Sequence, residues 1–496
     1  MVSPLDRIPI RTPGNLGLVT DQAGVAEQPQ WSLTLRNAVI NNSNRIASRN
    51  GWSLVTTTGG HSDDTEAIFE YVESATSTRI ISVANSTLYE GTSTLTNVTG
   101  TATVGGDDWQ FVNYNGKVVG VRQGDQPIIK TGAGNFADVV ASAGTAPTGN
   151  AAVATHGRIY AFDSDMQTIQ FCVLLDETDW GGAGSGSLDM ANVWPVGLDV
   201  GVAIVEWNNF LVVFGERSIV IFTGLDDPGT NLALAGTDDM VTGDGLVSRD
   251  SVVSTGTDLI YLSRTGLRSL RRGIAFDKLP LTTIAPHLQL KLSSDIDTAL
   301  SAATPIRMEY HRKLGAIIAR IGSAYWYFDI RTAGAVRASQ WDSIDWVCAR
   351  SVGSTLYLGQ NGGVAEYTGY DDNGSAYNFE WLSPWFRVTS RRFIPKSALV
   401  YVAAGTTYSL TMSWAWDYDA SPRYETRSLM VNAVSEYNVA EWGIGEWGPA
   451  NQLVAQQFDL GGDGDQIQIG LSTSINGGQL EIQEADLIGK LGRLHR

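Results

Sequence analysis

Few side chains in this 496-residue chain are placed to do chemistry, and most of those are carboxylates in turns. Asp371–Gly374 (DDNG), Asp463–Asp465 (DGD) and the acids between Asp238 and Asp244 gather several oxygens, as a calcium site requires. None runs on into the long loop with a terminal glutamate that an EF-hand uses. Asp, Asn and Gly are also what tight turns select on their own, and turn chemistry is the preferred reading. Cys172 and Cys348 each lie in an apolar, strand-like run and read as buried free thiols of a reducing compartment. No Cys/His spacing suits zinc, and the 5 histidines are scattered. Glycoside hydrolysis needs two facing carboxyls, whose separation in space a sequence does not give. Nucleophile elbow, phosphate loop and HExxH motif are all missing. The expectation is a protein that is not an enzyme, with no catalytic residue, no cofactor and no metal.

The remaining charged groups suggest contacts rather than reactions. A basic cluster, TSRRFIPK, brings Arg391, Arg392 and Lys396 together with Arg387 just before it. Arg264, Arg268, Arg271 and Arg272 form a second. Each reads as a solvated face, a contact with an acidic neighbouring subunit, or a contact with DNA phosphates, in that order. The formal net charge of −18 argues against gripping nucleic acid over the whole surface, because phosphate binding depends on Lys and Arg. It is compatible with a wall past which DNA slides. The charge is uneven: Asp176–Asp250 is strongly acidic and Arg264–Arg320 basic, an asymmetry typical of loops on opposite rims or of a subunit contact.

The elements that must carry these residues are short strands. Hydrophobic residues make up 43%, charged residues 17%, and there are 54 glycines, a turn-rich all-β composition. No apolar run approaches the ~20 residues of a membrane span, and the charged, proline-bearing start MVSPLDRIPIRTPG is not a signal peptide. From about Glu66 one grammar repeats: an apolar strand, a Gly/Asn/Asp turn, then an aromatic-containing strand. RIISVANSTLYEG, WQFVNYNGKVVGV, AAVATHGRIYAFD, VAIVEWNNFLVVFG, SVVSTGTDLIYLS, MEYHRKLGAIIARIG and VCARSVGSTLYLG are its seven copies. From the second onward they recur roughly every 40 to 56 residues, the length of a four-stranded propeller blade. A propeller of six or seven irregular blades over 64–375 is therefore expected, with a series of β-sandwiches as the alternative. Between the fifth and sixth copies, Ile284, Leu288, Leu292, Ile296 and Leu300 recur every fourth residue and predict a helix on the rim. Residues 1–63 read as a separate hairpin segment, with Leu33, Leu35 and Val39 on one strand, a turn at Asn41–Asn44, and the return from Ile46 to Trp52. Residues 376–496 carry longer alternating strands that suit a β-sandwich, and end in the basic tail KLGRLHR.

Two resemblances bear on function. Arg7–Ile8–Pro9 resembles the Arg-Ile-Pro that opens many sialidases, but the Asp-box of that family is approached only by Ser474–Gly478 (SINGG), which lacks its Asp and Trp. The second covers more. Trp31, Asn37–Ala38, Ile46, Arg49 and Gly51–Trp52 resemble the opening motif of tail nozzle (tail-hub) proteins of short-tailed bacteriophages. The order of parts is similar too: hairpin, irregular propeller, C-terminal β domain, and a short Gly492–Arg493 tail, although relatives end closer to a run of arginines. This resemblance implies a homo-hexameric tube in the virion, made in the host cytoplasm, with no enzymatic activity. The N- and C-terminal segments would form a platform on the tail adaptor protein, with tail fibres or other tail proteins as further partners. Double-stranded viral DNA would pass through without sequence-specific binding or membrane insertion. Subunit or adaptor contacts would then fall to Trp31, Asn37, Arg49, Trp52, Trp381, Trp385, Arg387, Arg391, Arg392 and Lys396, with aromatic surface from Phe379 to Trp385 buried in the ring. The other readings are a carbohydrate-binding or hydrolysing propeller, such as a host-surface receptor-binding protein, and a cellular interaction propeller.

Overall fold

Left-handed turn residues decide where the strands reverse. Asn115–Gly116, His156–Gly157 and Asn208–Asn209 all have both residues at positive φ, the two-residue turn whose twist matches that of a β-hairpin. Each joins the first two strands of a small antiparallel sheet. The computed structural model describes residues 5–21, 28–195, 197–228, 232–234, 240–270, 283–332, 336–388, 391–430 and 452–492. Seven such sheets follow one another among them. Their first strands are Ala67–Ser74, Gln110–Tyr114, Ala152–Thr155, Gly201–Trp207, Val252–Ser254, Ile306–His311 and Ala349–Val352. Most neighbouring first strands touch, and the seventh touches the first, so the sheets are blades around a central channel. The fold is a seven-bladed propeller joined to a β-sandwich.

Six of the seven sequence copies coincide with the first hairpin of a blade. The exception is RIISVANSTLYEG, which supplies the second and third strands of blade 1, Ser77–Ala84 and Thr87–Glu90. The true first strand, Ala67–Ser74, precedes it and turns through Ala75–Thr76, where no Gly or Asn marks the reversal. Among the described residues blade 5 has three strands, Val252–Ser254, Leu259–Ser263 and Gly266–Ser269. The helix Gln289–Ser301 packs against the last of these and against Ala316–Ile321 of blade 6. Of the expected stripe, Leu288, Leu292 and Ile296 have no exposure, Ile284 is buried just ahead of the helix and Leu300 is half-buried, and burial of such side chains contributes roughly 1.5–3 kcal/mol each. The helix start has no local cap. Asp21, 269 residues earlier, accepts the Leu290 N–H at 2.7 Å, a carboxylate well placed for the helix dipole.

The N-terminal segment is not one hairpin. The described hairpin is Ala38–Ile40 with Ile46–Ser48 alone. Just before it, Thr34–Arg36 lies between the last strand of blade 6, through Gln340, and the sandwich strand Tyr377–Leu382. Just after it, Trp52–Leu54 leaves for blade 7 and pairs with Gly363–Tyr367 as that blade's fourth strand. Leu33 and Val39 therefore serve different sheets because Asn37, at φ 50°, turns the chain between them. Asp6–Arg11 joins the sandwich by pairing along Leu480–Leu491. The sandwich buries Phe379, Trp381, Met412 and Leu471 of one sheet against the side of the core supplied by Val400, Val402, Phe458 and Ile482.

The motif residues meet at this junction. Arg49 has no exposure and uses all five guanidinium donors: Nε on Asn37 Oδ1 at 2.9 Å, one amino group on Asn50 O and Asp372 Oδ1 at 2.8 Å each, the other on Asp342 O at 2.9 Å and Asp372 Oδ2 at 2.7 Å. Its plane lies 4.0 Å from the Tyr377 ring centroid. Asn37 completes the knot by donating to Asp342 and to Asn378 O and by accepting the Asp342 N–H. Gly51 is required because a Cβ there would lie 1.7 Å from the carbonyl oxygen of Asp371. Replacing Arg49 by Leu strands the Asp372 carboxylate. The expected loss is ~3–5 kcal/mol, read as a fall in the urea midpoint, with partial recovery in the Arg49→Leu, Asp372→Leu double variant.

Candidate functional site

The propeller channel is a concave feature lined by charged side chains. Its walls are the first strands of the blades, each the edge of its sheet, with residues Glu66–Glu70, Trp109–Phe111, Val252–Ser254, Arg307–Tyr310 and Ala349–Ser351 facing a cavity of about 620 Å³. A second cavity of about 700 Å³ lies at the other end, and Glu66, Arg249, Asp250 and Arg307 line both. They form a plug between the two mouths.

Two arginines build the plug. Arg249, in the loop leading into blade 5, pairs with Asp250 at 2.8 Å and reaches Asp108 at 2.7 Å, ahead of blade 2, and Asn150 O at 3.1 Å, ahead of blade 3. Arg307, on the first strand of blade 6, pairs with Glu66 of blade 1 at 2.8 Å and donates to Val347 O of blade 7 at 3.2 Å. Asp108 and Asp250 each lie 3.7 Å from Arg307, so the two halves share charge. Burial by itself would raise the Asp250 carboxyl, but Arg249 and Arg307 outweigh it and hold the group below its ordinary value. Arg249 is raised: burial opposes its charge, and the two aspartates more than offset that. The network braces the loops of six blades across the axis.

Further along the channel, Glu309 accepts the Ser351 N–H at 2.8 Å across the interface of blades 6 and 7. Burial pushes its carboxyl up, with Arg350 and that N–H only partly opposing. Arg350 sits 5.2 Å from the Phe69 ring centroid of blade 1. None of these groups forms a nucleophile–base pair, and among the described residues no cluster of three or more His, Cys, Asp or Glu side chains could hold a metal ion.

The residues singled out from the sequence are dispersed. Asn37, Arg49 and Trp381 were expected on a contact surface, but each has at most 1% exposure and is used inside the chain. The aromatic run from Phe379 is corrected likewise: Phe379 and Trp381 face the sandwich core, and Trp385, half-buried, packs at a tilt on Tyr418 with ring centroids 5.0 Å apart. Trp52 is half-buried in blade 7, and Trp31 packs on His287 at 5.1 Å. Arg387, Arg391 and Lys396 are exposed on the sandwich, and Arg392 pairs with Asp463. Arg7 is bound to the buried Asp486 of the sandwich. Asp372 of the DDNG turn is the partner of Arg49. Arg268 pairs with Asp244. Arg271, Arg272, Asp238 and Arg493 lie outside the described residues. Cys172 and Cys348 are buried free thiols. The plug itself escaped sequence reasoning, although the charged pair Arg249–Asp250 ahead of an apolar first strand was a usable signal.

No protein-family model and no curated protein sequence matches the chain. Solved structures are similar at low identity: the BamB protein of Moraxella catarrhalis (9% identity, 58% of this chain and 90% of that one, TM-score 0.32), YCF48 bound to a D1 peptide (11%, 64% and 97%, 0.36), and the Pan2 WD40 domain of Neurospora crassa (8%, 65% and 95%, 0.36). The propeller assignment rests on the strand pairing of this chain.

His311, at the end of the first strand of blade 6, is 3% exposed and bonds Ser351 Oγ of blade 7 at 2.8 Å. Burial, helped by Lys313, lowers its pKa from 6.5 to about 4. The unfolded chain therefore binds the extra proton first, and this contribution to stability is complete above pH 6.5 and lost as pH falls towards 4. Urea midpoints measured across that window should fall for the wild type, by ~3 kcal/mol at full extent, and fall less for His311→Gln.

Proposed function

We propose that this chain is a structural subunit of a ring-shaped assembly, and specifically the tail nozzle of a short-tailed bacteriophage. The observation that carries the reading is the use made of the resemblance motif. Asn37, Arg49 and Gly51–Trp52 are the residues that tie propeller to platform. A motif with that role belongs to an architecture in which both chain ends build one platform and the propeller is attached to its side. The braced channel supports it as well, since a ring subunit under load gains from rigid blades.

In this reading the platform carries the contacts. Arg387, Arg391 and Lys396 lie exposed on the sandwich of a protein whose net charge is −18, so they meet an acidic surface on a neighbouring copy or on the adaptor. Tyr424, Met430 and Leu453, all more than 60% exposed, add apolar area elsewhere on the sandwich. Six copies would enclose a lumen that viral DNA crosses, with the acidic balance of the chain keeping phosphate from adhering.

Negative-stain microscopy of the purified chain, alone and with the adaptor, tests this. A closed six-fold ring with a central hole is expected. Reversing charge at Arg387 and Lys396 together should raise the concentration needed for ring formation by about tenfold or more, in line with rim ion pairs of about a kcal/mol each. A chain that stays monomeric in every condition and ignores the adaptor overturns the reading.

A further inference from the structure

The two sheets of the sandwich present unlike faces to the outside. Residues directly opposite in an antiparallel pair point to the same side, so the register assigns each side chain a face. On the sheet that holds Tyr408–Trp416 and Gln466–Ile475, the outward positions include Ser409, Thr411, Ser413, Thr426, Ser472 and Ser474. Hydroxyls of this kind suit a face kept in water. On the other sheet, Leu487, Ala398 and Val400 fill the core, so the alternate residues face out. These place Arg7 opposite Ile488, Ile394 opposite Lys490, and Leu399 and Tyr401 further along. Leu5, two residues before Arg7, is 51% exposed and Ile394 39%. Lys396, exposed at the bulge beside them, and Lys490 form no ion pair among the described residues. One outer face is thus polar and uncharged, and the other is apolar with a basic end.

A second apolar patch lies on the propeller. The chain leaves the third strands of blades 3 and 4, Thr168–Phe171 and Ser218–Thr223, on the same side of the ring, and Tyr160 joins the two by donating to Leu225 O at 3.3 Å. Leu174 and Leu175 are more than half exposed there. Leu175 has a φ of 60°, in a turn closed by the Asp176 N–H on Val173 O, a position that favours glycine. An exposed leucine held in a strained turn calls for a contact that uses its side chain. Asp176 follows it, and Asp226 and Asp227 follow Leu225, both exposed and without an ion pair among the described residues.

We infer that copies of this chain join head to tail, with the apolar sheet face of one sandwich seated on blades 3 and 4 of the next copy. Leu5, Ile394 and Ile488 cover Leu174 and Leu175, and Lys396 and Lys490 meet Asp226 and Asp227, so that apolar area and charge are complementary at once. The sandwich is attached at blades 6 and 7, across the seven-bladed ring from blades 3 and 4. Two different surfaces on opposite sides of one chain make a heterologous contact, the kind that generates a closed ring. The inference rests on the ring assembly proposed above and names the surfaces that build it.

Cysteine cross-linking of the full chain tests it, because Cys172 and Cys348 are buried and leave an introduced thiol as the accessible one. An Ile394→Cys chain and a Leu174→Cys chain are mixed, allowed to assemble and treated with a short bis-maleimide. Cross-linked pairs are expected in the mixture and in neither chain alone, and Ser472→Cys mixed with Leu174→Cys should give none. Lys396→Glu with Lys490→Glu should raise the concentration needed for assembly by about tenfold or more, and adding Asp226→Lys with Asp227→Lys should recover it. Thermal midpoints near the wild type confirm that each variant is folded. Chains that assemble without the cross-link between positions 394 and 174 overturn the inference and leave the ring reading standing. So does an Ile394→Cys chain that cross-links to itself. A chain that stays monomeric in every condition overturns both.

Discussion

A single buried charge sits where the two halves of this molecule meet. Arg49 is wholly removed from water, which is unfavourable for a guanidinium unless every donor is met. Here each of the five is met, by groups from four places in the chain: Asn37, Asn50, Asp342 at the end of blade 6, and Asp372 at the start of the sandwich. Asn37 and Asp342 also bond each other directly, and Arg49 ties that pair to Asp372. The Asn-rich loop beside it is fastened in the same manner, with Arg331 and Arg337 of blade 6 reaching Asn42 and Asn44 from a shared, buried Asp329. The junction is a polar knot inside an otherwise apolar core. A polar knot fixes one arrangement where an apolar one would tolerate several.

That arrangement also solves the closure of the propeller. A ring of blades leaves a first and a last sheet that must find each other, and an unpaired edge strand invites association with other chains. Trp52–Leu54 covers the edge of blade 7 before the propeller begins, more than 300 residues ahead of its partner Gly363–Tyr367. Loop closure over such a distance is entropically unfavourable, but the cost grows only slowly with length. The hydrogen bonds of Gly51, Trp52 and Asn373 beside the Arg49–Asp372 pair then hold the strand in register. The channel plug acts on the same ring from inside, linking loops of opposite blades through Arg249 and Arg307.

How much of this was legible in the sequence depends on how local the cause is. Turn chemistry is local, so the hairpins with Asn115–Gly116 or His156–Gly157 and the strands within Ser251–Leu270 could be read directly. Blade 1 was read one strand late because its first reversal, at Ala75–Thr76, has no such mark. The helix was visible from its four-residue spacing, but not its cap, which comes from Asp21. Arg49 and Asn37 looked like surface residues because their types usually are. What buries them is a carboxylate 323 positions away, and distance in sequence leaves no trace in composition or periodicity. The plug was invisible for the same reason: Arg249 and Asp108 are 141 residues apart.

The central claim is that the N-terminal segment around Arg49 is part of the propeller and of the sandwich at once. Hydrogen exchange followed by mass spectrometry on the intact chain tests it most directly. The amides of Trp52–Leu54 should be as protected as those of Gly363–Tyr367, and in rising denaturant both should open together with Tyr377–Leu382. Exchange of Trp52–Leu54 within seconds, while blade 7 and the sandwich stay protected, would contradict the account.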